Sequence, residues 1–217
     1  MKKIVLQGNT ALNEVRESFG RWYYSLNEPY GDLYDAEEIE NSGRPYPGDT
    51  LVYVRGRDGK TFSPIEKKER TALGEPVYSR RKLYVPAVDF VTRTISILAW
   101  DPVVPDRIRE IDMIGLEKAE DCCNLRLFTE PLTLSRQKND VLHLLWPEDR
   151  RFHIGLHESF YMRDEDRLYL SSWEEDPDYR EETIIRDLHT GEITERTAGD
   201  IVRRKNGELW HITPHES

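Results

Sequence analysis

The chain is poor in cysteine: its 217 residues hold two, Cys122 and Cys123, and they are adjacent. A bridge between neighbours in sequence is far from ordinary disulfide geometry, so no disulfide framework supports the fold. Neither thiol has a Cys-x-x-Cys partner or a basic neighbour to lower its pKa, and both are read as reduced and structural. Long apolar runs are missing as well. Near the amino end Ile4, Val5 and Leu6 stand between Lys3 and Gln7, too short a run for a membrane span or for the apolar centre of a secretory leader. The expectation is a cytoplasmic protein with no membrane contact.

Positive charge is in deficit. Lys and Arg number 31 against 41 Asp and Glu, a formal net charge of -10. Affinity for nucleic acid rests largely on cationic side chains neutralising phosphate, so no nucleic-acid partner is expected. The short basic runs Arg80-Arg81-Lys82 and Arg203-Arg204-Lys205 fall on expected turns and read as solvated punctuation. Catalytic and cofactor signatures are absent too. There is no Gly-x-Gly-x-x-Gly, no P-loop, no Gly-x-Ser-x-Gly elbow and no Asp-x-Asp-x-Asp-Gly calcium loop, and no cofactor is expected.

What the chain does have is a repeated hairpin. The stretch from Phe160 to Trp173 reads as an aromatic strand, a charged turn at residues 164–166 and a return through Leu168 and Tyr169. The same pattern, a polar turn followed by an apolar and usually an aromatic residue, recurs at Gly20-Arg21-Trp22, Lys82-Leu83-Tyr84, Asp140-Val141-Leu142 and Gly207-Glu208-Leu209-Trp210. Arg57-Asp58-Gly59 adds a tight-turn signal. With 37% hydrophobic and 33% charged residues, apolar side chains must sit on one face of each element, which favours antiparallel sheets. The expected fold is therefore a single all-β domain spanning residues 1–217. It is either a small irregular β-propeller of about five hairpin units or an antiparallel barrel or sandwich. Leu168 and Leu209 are 41 residues apart, about one four-stranded blade, and a first strand at residues 3–7 would pair with residues 209–212 to close a ring. The run 107–120 suits a strand and a helix equally.

Two segments carry the candidate ligand surface. Residues 27–49 combine Glu28, Asp32, Asp35, Glu37, Glu38, Glu40 and Asp49 with Tyr30, Tyr34 and Tyr46, broken by proline and glycine apart from a helical turn at 35–40. Residues 173–182 combine Trp173 and Tyr179 with acids that include Asp176 and Asp178. Aromatic faces and carboxylates together suit a protein or carbohydrate ligand. The expected function is a ligand- or protein-binding module that contacts its ligand through Tyr30, Tyr34, Tyr46, Trp173, Tyr179, Asp176 and Asp178. Two alternatives are a glycan-directed hydrolase using paired carboxylates, with Asp89, Asp101, Asp112 and Asp187 as candidates, and an acidic inhibitor or immunity-type protein. His153 and His157 lie on an apparent strand, about 13 Å apart at ~3.3 Å per residue, too far to share one metal ion, and no metal is expected.

Overall fold

The computed structural model describes residues 3–6, 11–175 and 180–213. Its internal contacts gather into two compact units, Met1–Leu127 and Phe128–Ser217. The chain is all-β and of propeller type, built from small antiparallel meanders in which consecutive strands pair with one another.

In the first unit β1 (Asn13–Glu14), β2 (Trp22–Asn27), β3 (Thr50–Arg55) and β4 (Thr61–Phe62) form a four-stranded sheet in chain order. Between β2 and β3 lies α1 (Leu33–Asn41). Its start is fixed by a capping box, in which the Asp32 side chain accepts from the N–H groups of Tyr34 and Asp35 while Asp35 accepts from the Asp32 N–H. The segment expected as a loop with one helical turn thus holds a capped helix of nine residues. A five-stranded sheet follows, made of β5 (Thr71–Leu73), β6 (Val77–Ser79), β7 (Lys82–Asp89), β8 (Thr94–Trp100) and β9 (Ile108–Gly115). The run that suited strand and helix equally is both: β9, then the single turn α2 (Leu116–Ala119).

The core of this unit is aromatic. Trp100 stacks flat on Tyr53 at 5.3 Å between centroids and meets Trp22 edge-on at 5.6 Å, while Phe62 lies 5.2 Å from Trp100 and 5.8 Å from Trp22. Four rings from β2, β3, β4 and β8 therefore join the two sheets. Trp100 is 1% exposed, and its indole N–H donates to the Pro105 carbonyl at 2.8 Å, so burial of the large ring leaves no polar group stranded.

The second unit opens with the last residue of β10 (Arg126–Phe128), which heads a sheet completed by β11 (Thr133–Lys138), β12 (Val141–Trp146) and β13 (Arg150–His153). The next sheet is β14 (Glu158–Asp164), β15 (Arg167–Glu174), β16 (Arg180–Asp187) and β17 (Ile193–Ala198), and a two-stranded ribbon of β18 (Asp200–Arg203) and β19 (Leu209–Ile212) ends the described chain. Its apolar core includes Leu142, Leu144, Leu168, Leu170 and Ile184, with Phe128 and Phe160 in ring contact at 4.6 Å. Within it sits an ion pair: Glu158, 4% exposed, accepts from both Nε and Nη2 of Arg186, 9% exposed, at 2.9–3.1 Å.

All five expected hairpins are present, with Glu14 opposite Tyr23, Ser79 opposite Lys82, Lys138 opposite Val141, Asp164 opposite Arg167 and Arg203 opposite Leu209. The expected first strand is not. Residues 3–6 are irregular, Gln7 is outside the described residues, and β19 pairs with β18. The short β-branched run 3–6 meets no ladder partner there, and β propensity alone does not make a strand.

Replacing Trp100 by Ala removes the ring that touches the other three and is expected to cost about 3–5 kcal/mol of stability. Chemical denaturation of the purified variant measures it, and a loss below about 1 kcal/mol would show that the cluster is not what joins the two sheets.

Candidate ligand-binding cleft

Of the residues expected to form a ligand face, Tyr30 and Tyr46 lie with ring centroids 6.3 Å apart. Tyr30 is 52% exposed and Tyr34 lies half-buried in the first turn of α1. Tyr46 is corrected from a surface contact to a core residue: it is 1% exposed, its ring packs near Phe90, and its hydroxyl donates to the Asp49 carboxylate at 2.6 Å. Burial of that ring with its polar end satisfied is the arrangement a tyrosine takes inside a protein. Trp173 belongs to the second unit, near the end of β15, 42% exposed and edge-on to His157. Asp176, Asp178 and Tyr179 lie outside the described residues. The segment 173–182 is shorter as a loop than its sequence implies, because β15 runs to Glu174 and β16 starts at Arg180, with those two residues paired.

A separate concavity lies elsewhere in the first unit. A cleft of about 710 Å³ is lined by the turn before β2 (Phe19, Gly20, Arg21 and Trp22), by the β3–β4 turn (Arg55, Gly56 and Arg57), by Tyr78 and Arg81 of the β6–β7 hairpin, and by Pro102 and Val103 after β8. Its size is that of a small-molecule site. Four arginines from three turns meet there in a chain of net negative charge, and none of the lining residues is acidic.

The cleft is built from backbone held close. The Gly56 N–H donates to the Arg21 carbonyl at 2.8 Å, and a Cβ on Gly56 would lie 2.1 Å from the Gly20 oxygen, so the two turns clamp together only because residue 56 is glycine. The first turn is tied by Ser18, whose hydroxyl donates to the Trp22 carbonyl at 2.9 Å, and by Glu14, which accepts from the Gly20 N–H at 2.6 Å. Phe19 in that turn has φ 49°. Across the cleft, Arg80 and Arg81 form a two-residue hairpin turn with φ 45° and 66°. Such a turn requires positive φ at both positions and prefers Asn-Gly; with arginine each position is strained, and strain of this kind concentrates where a side chain is needed.

The four guanidinium groups differ in what holds them. Arg55 is committed, its Nε donating to Asp58 at 2.9 Å and its Nη2 to the other carboxylate oxygen, and this pairing holds the Asp58 carboxyl well below the usual carboxylate range. Arg57 reaches the same carboxylate at 3.9 Å. Arg21 lies over the Tyr78 ring, its guanidinium carbon 5.7 Å from the centroid. Among the described residues neither Arg21 nor Arg81 has a carboxylate within ion-pairing distance.

A second, smaller cavity of about 110 Å³ is lined by Glu28, Asp32, Leu33, Gly74, Glu75, Cys122, Asn124, Leu125 and Arg126. Glu28 follows β2 and Asp49 precedes β3, just beyond the Asn27–Thr50 pair that ends their ladder. Desolvation, then the charges of Asp49, Asp32, Glu75 and Asp35, lift Glu28 from an ordinary 4.5 to about 7. Desolvation also lifts Asp49 from 3.8 to about 6, against the bonds it accepts from Tyr46 and the Leu73 N–H. Cys122 is buried beside Glu37, which accepts from its N–H at 2.7 Å; burial and that carboxylate push the thiol up, away from reactivity.

The acids proposed for hydrolysis have local partners. Asp89 accepts from the N–H groups of Val91 and Thr92 and pairs with Lys68, Asp101 accepts from the Val103 N–H, Asp112 from that of Met113, and Asp187 from those of His189 and Thr190. His143 is buried and shares a hydrogen bond with Asp149 at 2.8 Å, and His153 stands exposed 3.6 Å from Asp140. Among the described residues no group of three or more His, Cys, Asp or Glu side chains is placed to hold a metal ion, and no helix is long and apolar enough to cross a membrane.

No protein-family model matches the chain, and no curated relative matches it. Among solved structures it is similar to one from a structural and mechanistic study of two prolyl endopeptidases, at TM-score 0.49 and 14% identity over 91% of this chain and 30% of that one. It is also similar to a candidate 6-phosphogluconolactonase from Bacteroides uniformis, at TM-score 0.37 and 11% identity over 92% of this chain and 76% of that one. The chain thus spans about a third of the length of the endopeptidase it resembles, and neither likeness bears on activity.

Two outcomes are expected. Glu28 binds a proton more tightly folded than unfolded, so its contribution to stability is greatest at acid pH and falls as pH rises from about 4.5 through about 7. Glu28→Gln should therefore melt with the wild type at pH 5 and above it at pH 8; equal melting temperatures at both would mean the carboxyl is not perturbed. The double replacement Arg80→Asn with Arg81→Gly should raise stability by about 1–2 kcal/mol, since it relieves left-handed strain. Denaturant titration reads that gain, and a loss instead would mean the arginine side chains themselves brace the turn.

Proposed function

We propose that the protein is a binding module whose ligand is an anion seated in the cleft between the Gly20-Arg21 turn and the Arg80-Arg81 hairpin. The ligand-binding class is that expected from the sequence, while the residues differ. One observation carries the reading: where acids outnumber bases 41 to 31, Arg21 and Arg81 face one cleft with no carboxylate partner among the described residues. A guanidinium is always charged, weakly hydrated for a cation, and offers a planar fork of donors that matches a carboxylate or a phosphate. The clamp of Gly56 on Arg21 supports a preformed site, which lowers the ordering cost of binding. Glu14 and Asp58 lie at the margin, the first occupied by the Gly20 N–H and the second neutralised by Arg55, so neither opposes an incoming negative charge at full strength.

The test is a thermal-shift titration with inorganic phosphate, pyrophosphate and citrate at low and high salt. An oxyanion at a hundred times its dissociation constant should add about 2.7 kcal/mol of stability, and the effect should shrink with added sodium chloride. Arg21→Gln and Arg81→Gln should each weaken binding by roughly tenfold or more, and the stabilised Asn-Gly turn variant should bind as poorly as Arg81→Gln. A melting temperature that no oxyanion moves at tens of millimolar would remove the proposal.

A further inference from the structure

Resting on that reading, we infer that the anion is a nucleoside phosphate, its base received by the aromatic and apolar wall of the cleft against the face of Arg21, and its phosphate by Arg81, the donor edge of Arg21 and Arg57. Size is the first argument. At about 30 Å³ per water, 710 Å³ has room for roughly two dozen waters, and an inorganic oxyanion of a few waters' bulk would leave most of it filled with solvent. A ligand that uses the cleft needs a body as well as a charge.

The wall describes that body. Phe19 is 38% exposed and Val103 73% exposed, with Pro102 beside it, so the apolar lining is open to a ligand. Arg21 is an exposed residue whose guanidinium already lies over the face of Tyr78. A flat cation resting on a ring is half of a layered stack, and a planar heterocycle completes it on the open side, since both guanidinium groups and aromatic side chains stack on bases. Phe19 supplies a second face. An aliphatic acid would cover apolar area there and leave these planar groups unused.

Further charge comes from other residues of the lining. Arg81 sits at the hairpin tip with φ 66° and has no ionic partner among the described residues, and Arg57, 75% exposed at its side chain, is held by one contact of 3.9 Å to Asp58. Two loosely held guanidinium groups lining one cleft suit an oxyanion that accepts from both. A guanidinium laid on a ring and guanidinium groups open to pairing, all lining one cleft, suit a ligand that carries both an aromatic ring and a multivalent oxyanion. A nucleotide fulfils both. The chain lacks the glycine-rich phosphate loops, and the recognition would come from side chains instead.

The experiment is binding to the full chain by calorimetry, with adenosine and guanosine monophosphates and diphosphates, adenosine, and inorganic phosphate as separate probes. A nucleotide should bind at least about fivefold more tightly than phosphate, reflecting one stacked base, and adenosine should bind more weakly than its phosphates. Phe19→Ala should reduce that advantage by about fivefold or more and leave phosphate affinity unchanged; Arg81→Gln should weaken both probes together. If phosphate binds and no nucleotide binds better, the nucleoside assignment falls and the anion site stands. If no probe binds while the melting profile matches a folded protein, both fall.

Discussion

Everything the first unit offers to a ligand depends on the burial of Trp100. Its ring is the one that touches Trp22, Tyr53 and Phe62 together, and its N–H fixes the carbonyl of Pro105. Trp22 forms part of the cleft wall, and Pro102 and Val103 lie in the segment that the Trp100–Pro105 bond ties down. The same hydrophobic contact that joins two sheets thus sets the spacing of turns that come from both. Rigid sheets with variable turns at their ends are the usual way in which a scaffold positions binding groups.

Charge explains why the cleft stands out. Several arginines are held by acids among the described residues: Arg70 by Glu40, Arg163 by Glu148, Arg186 by Glu158. The pair at Arg70, whose side chain is 44% exposed, contributes little to stability, and mainly shows where a cation has been neutralised. Arg21 and Arg81 break that pattern, and they do so on turns whose backbone is held in sparsely populated conformations. The acidic surplus sits partly around α1, where burial makes Glu28 and Asp49 hold protons more tightly than solvent-exposed carboxylates do.

Sequence patterns made the hairpins legible because a hairpin turn is a local device. Asn139, Glu165 and Gly207 at their tips need only their own φ and the pairing of flanking residues. What stayed hidden was non-local. Residues 3–7 carry the propensity of a strand without a partner that propensity can name, and Tyr46 looks like any loop tyrosine until Phe90 and Asp49 close around it. The cleft was illegible for the same reason. Arg21, Arg57 and Arg81 are separated by 24 residues or more in sequence, and each alone reads as a solvated turn. The one local hint was Arg-Arg where a tight hairpin ordinarily takes Asn-Gly, a choice that costs stability and calls for a reason.

In the second unit, the Glu158–Arg186 pair shapes how the chain is able to change over generations. Losing either partner alone strands a buried charge at about 3–5 kcal/mol, a large share of what a domain of this size has to spare, whereas replacing both with well-packed apolar residues is close to neutral. The two positions, 28 residues apart, are therefore locked into joint inheritance: a lineage keeps the pair, or exchanges both members through an intermediate that another substitution has first made tolerable.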